Sequence, residues 1–147
     1  MNECDARILA FGIDCEGFIT IAKQEGPNMP SYYGVMGLGC TSKTLRDVAY
    51  ELAGVGKLYT TPVRSKYPNW KELYRWVTIG RKGAVQICEK IQPHLRLKQK
   101  QADNIIELYS FYSTRFPPSD CDIHKILARK EELYQETRLL NKRGGLK

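Results

Sequence analysis

Along the first third of the chain the spacing of apolar residues changes twice, from helical to alternating and back. Over residues 4–13 they recur at helical spacing around Ile8, Leu9, Phe11 and Gly12, and a stop is expected around Gly17, because glycine tolerates a left-handed cap. Residues 17–25 then alternate, with Ile19 and Ile21 on one face and Thr20, Ala22 and Gln24 on the other, which predicts a strand. The stretch GPNMPS has loop composition, and a second strand is expected from about 32 to 41 with Met36, Leu38 and Cys40 sharing a face. Ser42 or Thr41 can cap a helix in which Leu45, Val48, Ala49 and Leu52 repeat at three and four and which Gly54 ends. Strands at 57–63 and 73–79 flank a polar RSKYPN segment that predicts an exposed hairpin loop. Beyond Gly83 the pattern is helical, over 84–91, 98 to about 113 and 123 to about 141, with breaks at Pro93 and at Pro117-Pro118.

Antiparallel hairpins alternating with helices predict an α+β fold, with helices on one face of a four-stranded sheet. The expectation is a single domain over 1–147: a core to about 115, a C-terminal helix over about 120–141, and a basic tail from 142 to 147. The last helix carries Ile123, Ile126, Leu127, Leu133, Tyr134 and Leu140 largely on one stripe. The other sheet face is left open. By alternation it presents Thr20, Ala22 and Gln24, Tyr33 and Val35, Lys57, Tyr59 and Thr61, and Arg75 and Val77. Such a surface suits a nucleic-acid groove and equally an ordinary solvated sheet face.

Composition shifts this balance only in part. Lys and Arg number 23 against 16 Asp and Glu, a surplus that attracts phosphate. The five cysteines (Cys4, Cys15, Cys40, Cys88, Cys121) form no CxxC pair and no dense framework, and are expected to be reduced thiols, most of them small core fillers. His94 and His124 stand alone, so a zinc site is not indicated. With no signal-like segment and no apolar run long enough to span a bilayer, a soluble intracellular protein is expected, without a membrane partner.

The chemistry concentrates at the end of the first helix, where Asp14 and Glu16 sit at a terminus whose partial negative charge disfavours anions. A cation should compensate. It can be a divalent metal held by a carboxylate and backbone carbonyls, with oxygen ligation suiting Mg²⁺, or a lysine or arginine in an ordinary ion pair.

The segment LAFGIDCEG, Leu9 to Gly17, resembles the LAGLIDADG signature in its frequent LAGLIDGEG form, followed by the β-strand that signature precedes. The segment LRLKQKQA, Leu95 to Ala102 after Gln92-Pro93, resembles a lysine-rich stretch of the same family, and SKTLR, Ser42 to Arg46, opens the middle helix that leads to Gly54-Val-Gly56. The three segments, in this order, resemble single-motif LAGLIDADG homing endonucleases over roughly the first 115 residues. The resemblance implies an αββαββα core with a saddle-shaped sheet. It implies a homodimer whose motif helices pack across a two-fold axis through Leu9, Ala10, Gly12 and Ile13. The implied activity is a metal-dependent double-strand break, by phosphodiester hydrolysis, in a long, near-palindromic double-stranded DNA target.

By the same resemblance Glu16 is a ligand of Mg²⁺ or Mn²⁺ at the dimer seam, with the Cys15 carbonyl beside it. Lys98, Arg46 and Ser42 are its basic and polar neighbours at the scissile phosphate, although Ser42 is also a plain helix cap. The open sheet face is implied to read DNA, with Lys23, Arg64, Lys66, Lys71, Arg81 and Lys82 as phosphate contacts, Tyr33, Tyr59 and Trp70 as further DNA contacts, and Trp76 in the core. Two alternatives use the same fold: a maturase that binds intron RNA, and a cleavage-dead DNA-binding regulator. The chain departs from the family pattern at Phe11, where a glycine is usual and is displaced here to Gly12, and at Cys15, where a glycine or alanine is usual between the two acids.

Overall fold

The computed structural model describes residues 1–63, 69–112 and 120–142. The expected hairpin loop with Arg64 and Lys66, the break at Pro117-Pro118 and nearly all of the basic tail lie outside them.

Helix α1 (Glu3–Glu16) opens with a capping box: the Asn2 side chain accepts the Asp5 backbone N–H at 2.8 Å while the Asp5 carboxylate accepts that of Asn2 at 3.0 Å. It stops at Gly17, but not through a left-handed cap. Gly17 is extended, with φ −94°, and a Cβ there would lie 2.6 Å from Ile13 Cα and 2.9 Å from the Gly37 carbonyl oxygen. Glycine is needed at this junction for space, so that the helix can turn straight into the sheet.

The sheet comprises β1 (Gly17–Gln24), β2 (Ser31–Cys40), β3 (Lys57–Thr61) and β4 (Leu73–Ile79), antiparallel in the order β1-β2-β4-β3. Between β2 and β3 lies α2 (Lys43–Ala53), capped by the Ser42 hydroxyl and ended by Gly54 at φ 70°. After β4 the chain forms a π-helical turn (Arg81–Val85), α3 (Gln86–Ile91) and a 3₁₀ turn (Gln92–His94) that accommodates Pro93. Helices α4 (Gln99–Ser110) and α5 (Asp120–Leu140) follow. The fold is α+β, as the alternation of periods predicts. Among the described residues no helix is long and apolar enough to cross a membrane.

The five α-helices of the described residues lie on the same face of the sheet. Ile19, Ile21, Met36, Leu38 and Trp76 are buried there beneath Leu9, Ala10 and Ile13 of α1, Ile87 and Ile91 of α3, and Ile105 and Leu108 of α4. Trp76 is fully buried, as expected, and its indole N–H donates to the Val55 carbonyl at 2.8 Å. Cys40 and Cys88 fill the core, whereas Cys4 and Cys15 are exposed.

Helix α5 is tied to the sheet edge by polar contacts. The Asn141 amide donates to the Ile19 carbonyl at 2.9 Å, and Glu131 accepts from the Tyr32 hydroxyl and pairs with Lys23 at 3.2 Å. Lys23, an expected phosphate contact, pairs here with Glu25 and Glu131. The Tyr32 hydroxyl, Gln135 and Lys23 hold the Glu131 carboxyl at about pKa 2, well below its ordinary value of 4.5. A carboxyl lowered on folding stabilises the protein above its unfolded pKa and loses that contribution as pH falls to the folded one. Glu131→Gln should therefore flatten the loss of stability between about pH 4.5 and 2 in acid unfolding followed by circular dichroism. An acid limb unchanged by the substitution would show that this cluster does not hold α5.

Candidate active site

The two motif acids are used differently. Asp14 is buried, and its carboxylate accepts two backbone N–H groups from the segment that precedes α4, Arg96 at 2.6 Å and Lys98 at 3.0 Å. The Lys98 ammonium returns to the Asp14 carbonyl at 2.5 Å. Asp14 thus fastens the lysine segment to the end of α1, and Lys98 places a cation where the last helical carbonyls concentrate negative charge. The last turn of α1 has no basic residue of its own, so the compensating cation comes from far along the chain.

Lys98 is the cap residue before α4, one position ahead of the helix in which the sequence placed it. Desolvation lowers its pKa from the ordinary lysine value, against the opposing pull of Asp14, Cys15 and Glu16. Glu16 and Cys15 are exposed at the tip of α1 beside this ammonium. Among the described residues no three His, Cys, Asp or Glu side chains gather into a metal cluster. The end of α1 thus offers an exposed carboxylate and main-chain carbonyls, an oxygen donor set of the kind Mg²⁺ uses together with substrate phosphates and water.

Arg46, expected near the scissile phosphate, is tied into the fold on the β3 side. Its guanidinium is buried and binds Asp47 at 2.6 Å, the Tyr59 carbonyl at 3.4 Å and the Thr60 hydroxyl at 3.2 Å, and it lies 5.2 Å from the Tyr74 ring centroid. It clamps α2 onto β3 and β4. Ser42 caps α2, its hydroxyl accepting the Leu45 N–H at 3.3 Å. Arg46→Ala should lower unfolding free energy by about 2 kcal/mol, because buried hydrogen-bond partners lose their donor. Denaturant unfolding checks this, and unchanged stability would exclude the clamp.

The open sheet face agrees with the alternation. Strand register aligns Phe18, Gly37, Val77 and Lys57 in one row and Thr20, Val35 and Ile79 in the next. Ala22 pairs with Tyr33, Gln24 with Ser31, Tyr59 with Arg75 and Thr61 with Leu73. All ten expected face residues lie on this side. Phe18, Leu73 and Ile79, equally visible in the alternation, belong to the same face.

The apolar residues of α1 divide into a buried and an exposed stripe. Leu9, Ala10 and Ile13, expected to meet a second protomer, are at most 2% exposed within the protomer's own core. The outward stripe is instead Cys4, Ile8, Phe11 and Cys15, spaced four, three and four, with Gly12 half-buried beside it. Phe11 is 73% exposed, the same as Leu97 and more than any other large hydrophobic residue among those described, and Ile8 is 53% exposed. Alongside runs a groove lined by Ile8, Gly12, Leu45 and Val48. Leu45 and Val48, the apolar positions of α2, are themselves partly exposed.

No family model and no curated protein matches the sequence. Solved structures do resemble the chain. The homing endonuclease I-CvuI, in complex with the I-CreI target in the presence of Mg, superposes with TM-score 0.74 at 16% identity over 97% of this chain and 87% of its own. The archaeal intron-encoded homing endonuclease I-Vdi141I, complexed with DNA, gives 0.69 at 17% identity over 96% and 86%. The LAGLIDADG homing endonuclease I-SmaMI, bound to cleaved DNA, gives 0.60 at 11% identity, where the whole of this chain covers 45% of it. Together with the element order and the position of the motif at the end of α1, these likenesses show that the chain has the LAGLIDADG homing-endonuclease fold.

Proposed function

We propose that the chain is a homing endonuclease of the LAGLIDADG type, which binds double-stranded DNA as a homodimer and breaks both strands by metal-dependent phosphodiester hydrolysis. The observation that carries this reading is the end of α1: Glu16 is exposed next to the Lys98 ammonium, and Asp14 holds that lysine in place. A structural ion pair would not need the first acid to fix the backbone on both sides of Leu97 while leaving the second acid exposed.

Glu16 and the Cys15 carbonyl are the donors that would hold Mg²⁺ or Mn²⁺. When bound, the metal supplies Lewis-acid stabilisation of the scissile phosphodiester. The chain's own contribution is positional and electrostatic. Lys98 brings positive charge to the phosphate that approaches Glu16, and its partial desolvation strengthens that interaction. Arg46 and Ser42 act in this reading through the fold, by holding α2 and β3.

A dimer is supported from two sides. One protomer has one exposed motif carboxylate, whereas two strands present two scissile phosphates. The outward stripe of α1 also places a protruding Phe11 beside a groove of Ile8, Gly12, Leu45 and Val48, the self-complementary arrangement that a two-fold interface requires.

The test joins the DNA on either side of the gene that encodes the chain, clones it in a plasmid, and incubates it with purified protein and Mg²⁺. Linear plasmid cut within the junction is expected. Intact plasmid together with tight, metal-independent retention of the intron RNA would favour the maturase instead.

A further inference from the structure

The open sheet face combines a cationic flank with a centre almost without hydrogen-bonding side chains. Phe18, Val35, Val77 and Ile79 occupy its two central rows, and Ala22 adjoins them. Ile79 is 56% exposed. Thr20, in the same region, directs its hydroxyl to the Ile21 carbonyl at 3.4 Å. Lys57 and Arg75 lie toward the β3 side, and no open-face position of the four strands carries a carboxylate.

A sheet that reads base edges by hydrogen bonds needs amide, guanidinium or hydroxyl groups at its centre, and here the two central rows offer only Thr20, whose hydroxyl turns to the Ile21 carbonyl, while Gln24, Ser31, Tyr33, Tyr59, Thr61 and Arg75 stand toward the margins. The apolar group that a base pair offers in the major groove is the C5-methyl of thymine. We infer that the centre of this face selects thymine, each half-site of the target carrying T·A pairs whose methyl groups pack on Val35, Val77 and Ile79. The inference rests on the double-stranded DNA reading above. The cationic flank and the absence of carboxylates favour a polyanion over a protein surface as the occupant of an apolar sheet face.

The test starts from a random duplex library, selected on the purified chain without divalent metal. Thymine should be enriched at adjacent positions of each half-site. Replacing those thymines by deoxyuridine removes only the methyl groups, and affinity at fixed salt should fall about fourfold per methyl. Ile79→Ser, at an exposed position, should bind the thymine and deoxyuridine duplexes alike at one of these pairs. Equal wild-type affinity for the two duplexes, or enrichment without thymine, overturns this inference and leaves DNA binding standing. If the library yields no retained duplex at any salt concentration, whatever protein or second copy covers the face, both readings fail.

Discussion

Glu16→Gln should leave DNA binding in place and slow double-strand cleavage by about a hundredfold to a thousandfold, on the scale seen when one preorganised electrostatic group is removed from an active site. The substitution preserves shape at an exposed position, so folding should be unaffected. It removes the one exposed motif carboxylate, because Asp14 is buried and already accepts two backbone N–H groups. Rates of plasmid linearisation in Mg²⁺, paired with gel-shift affinity in its absence, separate the two effects. Cleavage at the wild-type rate would remove Glu16 from the chemistry, and equal loss of binding and cutting would assign it to DNA contact alone.

Phe11→Asp should convert the proposed dimer to a folded monomer. In an isologous interface each substitution counts twice, so an aromatic anchor worth about 2 kcal/mol per copy weakens association by about a thousandfold. The ring is 73% exposed in the protomer, so its loss should leave the melting temperature of the monomer nearly unchanged. Sedimentation should give one protomer, and one protomer should not linearise plasmid. A Phe11→Asp protein that still sediments as a dimer would place the interface elsewhere.

Phe11 also marks where the sequence is legible and where it is not. The sheet faces followed directly from a period of two, and strand register places all ten expected residues together. A helical period gives no such answer for α1, which is apolar on two sides. Leu9, Ala10 and Ile13 fit the protomer's core, while Ile8 and Phe11 face outward, and only packing against Leu38 and Ile19 distinguishes the two stripes. Long cationic side chains were harder still. Arg46 finds its partners on β3, thirteen and fourteen residues on, and Lys23 finds Glu131 across the whole chain. Neither contact leaves a mark in local pattern. The Asp14 to Lys98 link spans 84 residues, and the motif resemblance points to both ends of it but not to the bonds between them.

The central claim is that each protomer's Glu16 serves one DNA strand. It is tested most directly by a purified heterodimer of one wild-type and one Glu16→Gln chain on supercoiled plasmid carrying the target, with Mg²⁺. Nicked circles without linear product are predicted. Linear plasmid formed at the rate of the wild-type homodimer, or no nick at all, would contradict it.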